Sequence, residues 1–319
     1  MPDPRYRNCR LCPRACGVDR AAGRTGACGE TADCRVASAV AHFGEEPCFT
    51  GARGSGTLFF SGCPSRCFFC QNHQISTGGG GAVQDADGLL ALALALAEQG
   101  VHNLNFVSPD HFWPHVEALC RSLRARGVAL PFLFNTSGYQ DAGQVPAYAA
   151  WIDLFLPDFK FADAGLARRC MGDPRYPEIA MAAIGAMIAA KGFLDPWDPE
   201  GREPARRGVL VRHLVLPGCV ANSLAAVRRL HEAFGPELPL SIMSQFRPMP
   251  GCRERGLFER TLRPEEYEAV TDLVERLGFE RVFIQPLADD EAFVPDFRDD
   301  EPFPGNRNRP PAGAPGSQG

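Results

Sequence analysis

The stretch Gly54-Ser55-Gly56-Thr57-Leu58-Phe59-Phe60-Ser61-Gly62-Cys63-Pro64-Ser65-Arg66-Cys67-Phe68-Phe69-Cys70-Gln71-Asn72 runs from an apolar strand into a loop that carries three cysteines. Thr57 to Ser61 reads as the strand, because a short apolar run is bounded by glycine on both sides. The loop spacing is Cys63-x3-Cys67-x2-Cys70. Three thiolates can hold three irons of a cubane [4Fe-4S] cluster, which ordinarily takes four cysteines, and leave the fourth iron open to another ligand. An open iron is a catalytic iron. The competing reading is a zinc site that borrows a fourth ligand such as His73, although zinc spacings commonly come as two separated pairs.

Downstream of this stretch, apolar runs alternate with helical ones. Strands are expected at Asn103 to Val107, Pro131 to Asn135, Ile152 to Pro157, Val209 to Leu216 and Leu240 to Ser244, with a weaker one at Arg281 to Ile284. Helices are expected between them, closed by Gly100, Gly127, Gly192 and Gly278. Repeated strand-helix alternation means a parallel sheet. Six or seven such units close partly or wholly into a barrel, and a doubly wound open sheet is the rival topology. In either architecture the working site lies at the carboxyl ends of the strands. There the chain places Asp110 and His111, then Asn135 and Thr136, Asp158 and Lys160, Arg212 and His213, and Gln245. Polar groups therefore converge on one rim.

Upstream, Cys9-x2-Cys12-x3-Cys16-x11-Cys28 supplies four thiolates, enough for a tetrahedral zinc or for a second [4Fe-4S] cluster. Nine of the thirteen cysteines fall in the first 70 of 319 residues. A disulfide framework belongs to small secreted chains, so metal binding is the better expectation here. Cys34 and Cys48 look like spares. Residues 1–48 are read as a Cys-rich metal-binding module, 49–290 as the α/β domain, and 291–319 as a C-terminal extension, disordered from about residue 300. Apolar residues make up 45% and charged ones 22%, as in ordinary globular chains, and the net charge of −5 argues against a nucleic-acid or polybasic membrane surface. No transmembrane run or signal peptide is legible, and the expected location is the cytoplasm.

The cysteine loop, with aromatic Phe69 before its third cysteine, resembles the radical SAM signature. His42-Phe43-Gly44-Glu45-Glu46-Pro47, Asn135-Thr136-Ser137-Gly138-Tyr139, Pro157-Asp158-Phe159-Lys160, Arg212-His213-Leu214-Val215-Leu216-Pro217-Gly218 and Met243-Ser244-Gln245 are similar to one branch of that superfamily. It is the PflX-like group related to pyruvate formate-lyase activating enzymes. The resemblance implies an α/β fold, a partial (β/α)6 radical SAM barrel, here fronted by the Cys-rich module. It implies a [4Fe-4S] cluster on Cys63, Cys67 and Cys70, with S-adenosylmethionine (SAM) chelating the open iron. Reductive cleavage of SAM then yields a 5'-deoxyadenosyl radical that abstracts hydrogen from a substrate.

On the same basis Phe69, Asn135, Thr136, Asp158, Lys160, Arg212 and Gln245 are expected at the SAM pocket. The activating enzymes carry Gly-Gly-Glu after the second strand, where this chain reads Val107-Ser108-Pro109-Asp110-His111, so Asp110 is the candidate for the SAM amino group. Neighbours in a strand face opposite ways, so Arg212 is assigned to the lumen, near the SAM carboxylate or ribose, and His213 to the helix layer. Glu45, Glu46 and Gln245 are candidate substrate or SAM contacts, with capping or solvated side chains as the plain alternative. The implied activity is that of a glycyl-radical-enzyme activase; radical modification of a small molecule or peptide, or a non-catalytic iron-sulfur scaffold, are the alternatives. The partners implied are a protein or small-molecule substrate and a one-electron donor such as flavodoxin or ferredoxin, with no nucleic acid and no membrane.

Overall fold

The computed structural model describes residues 2–287 and 294–303. Its strands are β1 (Arg35–His42), β2 (Ser55–Phe60), β3 (Ala82–Val83), β4 (Leu104–Val107), β5 (Phe132–Thr136), β6 (Leu154–Pro157), β7 (Gly208–Val209), β8 (Val211–Leu214), β9 (Leu240–Met243) and β10 (Val282–Ile284). One sheet has the order β3-β1-β2-β4-β5-β6-β7 and a second the order β10-β9-β8. Pairing is parallel from β2 to β7 and from β8 to β10, while β1 runs antiparallel to β2 and β3. The architecture is mixed α/β with a mostly parallel sheet.

The strand expected at 209–216 is divided, and it ends at Leu214. The Leu210 amide donates to Phe155 O of β6 at 3.1 Å, and the next amide, Val211, donates to Pro239 O at 2.9 Å, just before β9. Successive amides that point to opposite neighbours are the habit of a central strand, so β7 and β8 are two halves of one strand joining the sheets. A lone bridge between Asp158 and Arg212 continues that pairing.

Helices fill the crossovers, and Trp113–Ala125 shows why these residues form one. Pro114 starts the first turn, and Trp113, Val116, Leu119, Cys120 and Leu123 fall on one buried stripe. Trp113 meets Tyr148 edge-on at 4.6 Å and stacks on Phe134 of β5 at 6.0 Å. Each large apolar side chain buried in this way contributes about 1.5–3 kcal/mol.

Side-chain alternation along the strands then positions the site. Phe132 and Phe134 of β5, Phe155 of β6 and Val211 of β8 face the helices in the main core. Their neighbours Leu133, Leu154, Leu156 and Leu210 meet Cys48 and Phe49 in a separate inner cluster. That face of the parallel sheet therefore carries an apolar floor. Above that floor, the same inward-facing rows continue as Asn135, Asp158 and Arg212, which line one cavity.

Two boundaries differ from expectation. β1 was not anticipated, because its Ala- and Ser-rich sequence offers no bulky alternating face; it pairs with β2 from Val36 to His42, with a register shift between Val36 and Ser38. Residues 35–42 thus form a strand of the larger sheet. Disorder does not begin at 300 either, since Phe303 is buried, with its ring 4.1 Å from that of His42 and 5.2 Å from that of Phe59. The rest of the expected tail, 304–319, lies outside the described residues. Among the described residues no helix is long and apolar enough to cross a membrane.

Candidate active site

Gly62 turns the chain out of β2 at φ +74°, and a Cβ there would stand 2.5 Å from Glu30 Cγ and 2.9 Å from the Cys28 carbonyl oxygen. Only glycine lets the loop start so close to the Cys-rich segment. The loop is then pinned from both sides. Phe68 stacks on Phe258 at 5.6 Å, and Phe69 packs against Phe161, Phe246 and Phe258. Ser65 Oγ hydrogen-bonds Ser137 Oγ at 2.6 Å, tying the loop to the end of β5.

Cys63, Cys67 and Cys70 all open into one cavity of about 510 Å³. The backbone amides of Ser65 and Arg66 face the Cys63 thiol, yet burial, reinforced by Cys70, pushes that thiol up to about 11. Burial raises Cys67 as well, against the pull of Lys160. Thiols held protonated in this way become ligands only when a cation displaces their protons. Among the described residues, no three His, Cys, Asp or Glu side chains converge closely enough to hold a single metal ion, with His73 or without it. A cubane asks for less convergence, since each thiolate binds its own iron. The three thiols, set on one short loop around one cavity, fit that demand.

The cavity also takes Phe69, Asn135, Thr136, Asp158, Lys160, Arg212 and Gln245. Lys160 Nζ is paired with the Asp158 carboxylate, and this pair is part-buried in the cavity rather than on a surface loop. Burial disfavours the Lys160 charge, but Asp158 and the nearby Cys67 and Cys70 outweigh it, and the ammonium is retained. Gln245 forms a ladder with Gln71 and Gln285, donating to Gln71 Oε1 and accepting from Gln285 Nε2 at 3.2 Å each.

Arg212 lines the cavity, while His213 is fully buried on the other face, hydrogen-bonded through Nδ1 to Phe159 O at 2.6 Å. The Arg212 guanidinium, however, is already engaged by Glu46, with Nε to Oε1 at 2.8 Å, and by Glu45. The side chains of Glu45 and Glu46 are 6% and 7% exposed, and Glu46 stands at the N-cap of the short helix Pro47–Thr50 without a capping hydrogen bond from its side chain. Glu45 Oε1 also accepts from Asn105 Nδ2 and Asn135 Nδ2, both at 3.0 Å. Arg212 holds Glu45 ionised against the cost of its burial.

Asp110 does not reach the cavity. Ser108 turns at φ +53°, the short helix Asp110–Phe112 follows, and the Asp110 carboxylate is buried against Gln140 instead. Burial lifts it to about 6. Val107 and Ser108 stand at the cavity in its place.

Several lining residues were not singled out from the sequence. Gln285 directly follows β10 as Gln245 follows β9, a signal that the weakness of the last strand concealed. His42 Nδ1, Ser76 Oγ and Thr136 Oγ1 line the cavity as buried polar atoms without a partner among the described residues. Phe303 covers one side, and nothing in its Pro- and Gly-rich surroundings announced it. In the amino-terminal segment Cys9, Cys12 and Cys28 are buried and Cys16 is exposed.

No family model matches the chain. An uncharacterized protein of Methanocaldococcus jannaschii is 25% identical over 288 residues, covering 87% of this chain and 77% of that one. Among solved structures, Streptococcus suis SuiB bound to S-adenosylmethionine is similar with a TM-score of 0.46 and 11% identity, over 70% of this chain and 48% of that one. Methylornithine synthase (PylB) matches with a TM-score of 0.45 and 14% identity, over 70% of this chain and 60% of that one. Spore photoproduct lyase complexed with dinucleoside spore photoproduct matches with a TM-score of 0.46 and 13% identity, over 71% and 74%. The chain thus spans about half the length of the SuiB chain it matches.

Proposed function

We propose that this chain is a radical SAM enzyme built on a partial (β/α)6-type barrel, with a [4Fe-4S] cluster on Cys63, Cys67 and Cys70 and SAM beside it. One observation carries the reading: the three cysteines share a cavity with Asn135, Thr136, Asp158, Lys160, Arg212 and Gln245, which arrive from successive parallel strands. When bound, the cluster and SAM supply a one-electron cleavage of the sulfonium that delivers a 5'-deoxyadenosyl radical. The protein's part is positioning and exclusion of water. Phe69 and its aromatic neighbours seal the back of the loop, and Lys160 sets a positive charge beside Cys67 and Cys70.

Glu45, Glu46 and Asp158 against Arg212 and Lys160 leave one net negative charge in the lining, which favours a ligand bearing a sulfonium. Thr136, Ser76 and His42 offer unpartnered polar atoms for its adenosyl and methionyl groups. The resemblance of the surrounding segments supports an activase that draws hydrogen from a glycine of a partner enzyme, with its electron supplied by a flavodoxin or ferredoxin.

The test is spectroscopic. Protein reconstituted anaerobically with iron and sulfide and reduced with dithionite should give a cluster electron paramagnetic resonance signal that changes on adding SAM. A reduced cluster whose signal ignores saturating SAM contradicts the reading. Coexpression with candidate partners tests the activase role, since a glycyl radical doublet should appear on the partner.

A further inference from the structure

The amino-terminal segment contains a buried charge that the cavity does not explain. Arg20 is 1% exposed, and among the described residues no carboxylate lies within ion-pair distance of it. Its guanidinium donates to Glu30 O at 3.1 Å, to Thr31 O and His111 O at 2.6 Å, and to Cys9 Sγ at 3.6 Å. The carbonyls satisfy its hydrogen bonds and the Tyr6 and Phe112 rings lie 4.8 and 5.4 Å from it, while Glu30, whose carboxylate feels its charge, pairs with Arg35 at 3.6 Å; the charge is thus only partly compensated, and a buried charge without a full counter-charge is costly.

Thiols surround it. A Cβ placed on Gly26 would lie 3.3 Å from Arg20 Cδ and 3.5 Å from the sulfurs of both Cys16 and Cys28. Backbone amides also converge on these sulfurs: Arg14 N faces Cys12, Val18 N faces Cys16 and Glu30 N faces Cys28. In each case the amide comes from the residue two positions on. The same placement of an amide two positions on occurs at Cys63 with Ser65.

We propose that Cys9, Cys12, Cys16 and Cys28 hold a second [4Fe-4S] cluster, with a protein thiolate on each of its four irons and Arg20 as its buried counter-charge. The four thiols lie against the loop of the first cluster, which favours a redox cluster over a structural zinc. The site adjoins the loop of the first cluster. Cys63 N donates to Cys28 O at 3.2 Å, Arg14 Nε to Pro64 O at 2.9 Å, and Arg66 Nη1 to Ala27 O at 3.2 Å. The assignment stands on its own residues and holds whether or not the first cluster binds SAM.

Metal and sulfide analysis of the full chain, reconstituted anaerobically, tests it. The Cys63/Cys67/Cys70→Ala variant should keep about four irons and four sulfides per chain, half the wild-type content, with a reducible cluster signal. The Cys12→Ala/Cys16→Ala double variant in the wild-type background leaves only two thiolates; it should lower iron from about eight towards four per chain while the SAM-responsive signal persists. One zinc per chain in place of iron, or a wild-type iron content of about four that this double variant leaves unchanged, would overturn the proposal. Loss of the SAM response with the iron count intact would instead count against the first cluster's assignment alone.

Discussion

Arg212 of β8 reaches across the cavity to Glu45, in the loop after β1, and so couples the antiparallel edge of the sheet to the strand that joins its two parts. Glu45 passes the connection on to Asn105 of β4 and Asn135 of β5. The cavity wall is thus one polar network whose members come from three strands and one loop. Removing one partner of a buried ion pair leaves the other charge without compensation. Arg212→Met should therefore cost about 3–5 kcal/mol in urea unfolding. The Glu45→Gln/Arg212→Met double variant should cost clearly less than the two single variants together. Additivity would show that the pair does not interact.

Gly138 follows β5 at φ +71°, and a Cβ there would fall 2.1 Å from the Asp158 carbonyl oxygen. Gly127 has a similar φ of +79° with nothing within 4 Å of its Cβ position. Gly127→Ala should cost about 1–2 kcal/mol, from the left-handed backbone alone. Gly138→Ala adds an overpacking penalty of about 1–3 kcal/mol and pushes Asp158 out of register, so it should also impair SAM binding. Equal melting points for the two variants would contradict this.

His213 is fully buried, and burial pushes it down to about 4 despite the carbonyl of Phe159. A histidine held neutral in the fold but free to protonate when unfolded stabilises the protein above the unfolded value near 6.5. That contribution is lost as the pH falls from 6.5 towards 4, by about 1.4 kcal/mol per unit. Urea unfolding at pH 7.5, 6.5 and 5.5 should show His213→Asn losing less stability on acidification than the wild type. Parallel pH profiles would contradict the assignment.

The strands that begin at Leu104, Phe132, Leu154 and Leu240 were legible because short apolar runs there are bounded by turn residues. So were the polar residues at their ends, since strand alternation settles which neighbours face inward. What escaped depends on non-local pairing. β1 is made of small residues and acquires its strand identity from β2. The Glu45–Arg212 contact joins residues from opposite parts of the chain, and no local pattern announces it. Asp110 has the right position in sequence, but the turn at Ser108 and a single helical turn carry its carboxylate away. Phe303 is buried because Phe59 and His42 present an apolar surface to it, whereas its own neighbours read as tail.

The most direct measurement of the central claim is reductive SAM cleavage. Anaerobically reconstituted protein is incubated with dithionite and SAM, and 5'-deoxyadenosine is quantified beside the Cys63/Cys67/Cys70→Ala variant. The expected result is 5'-deoxyadenosine from the wild type and none from the variant. A wild-type protein that holds a spectroscopically intact cluster and binds SAM, yet releases no more 5'-deoxyadenosine than the variant with every candidate substrate supplied, would contradict it.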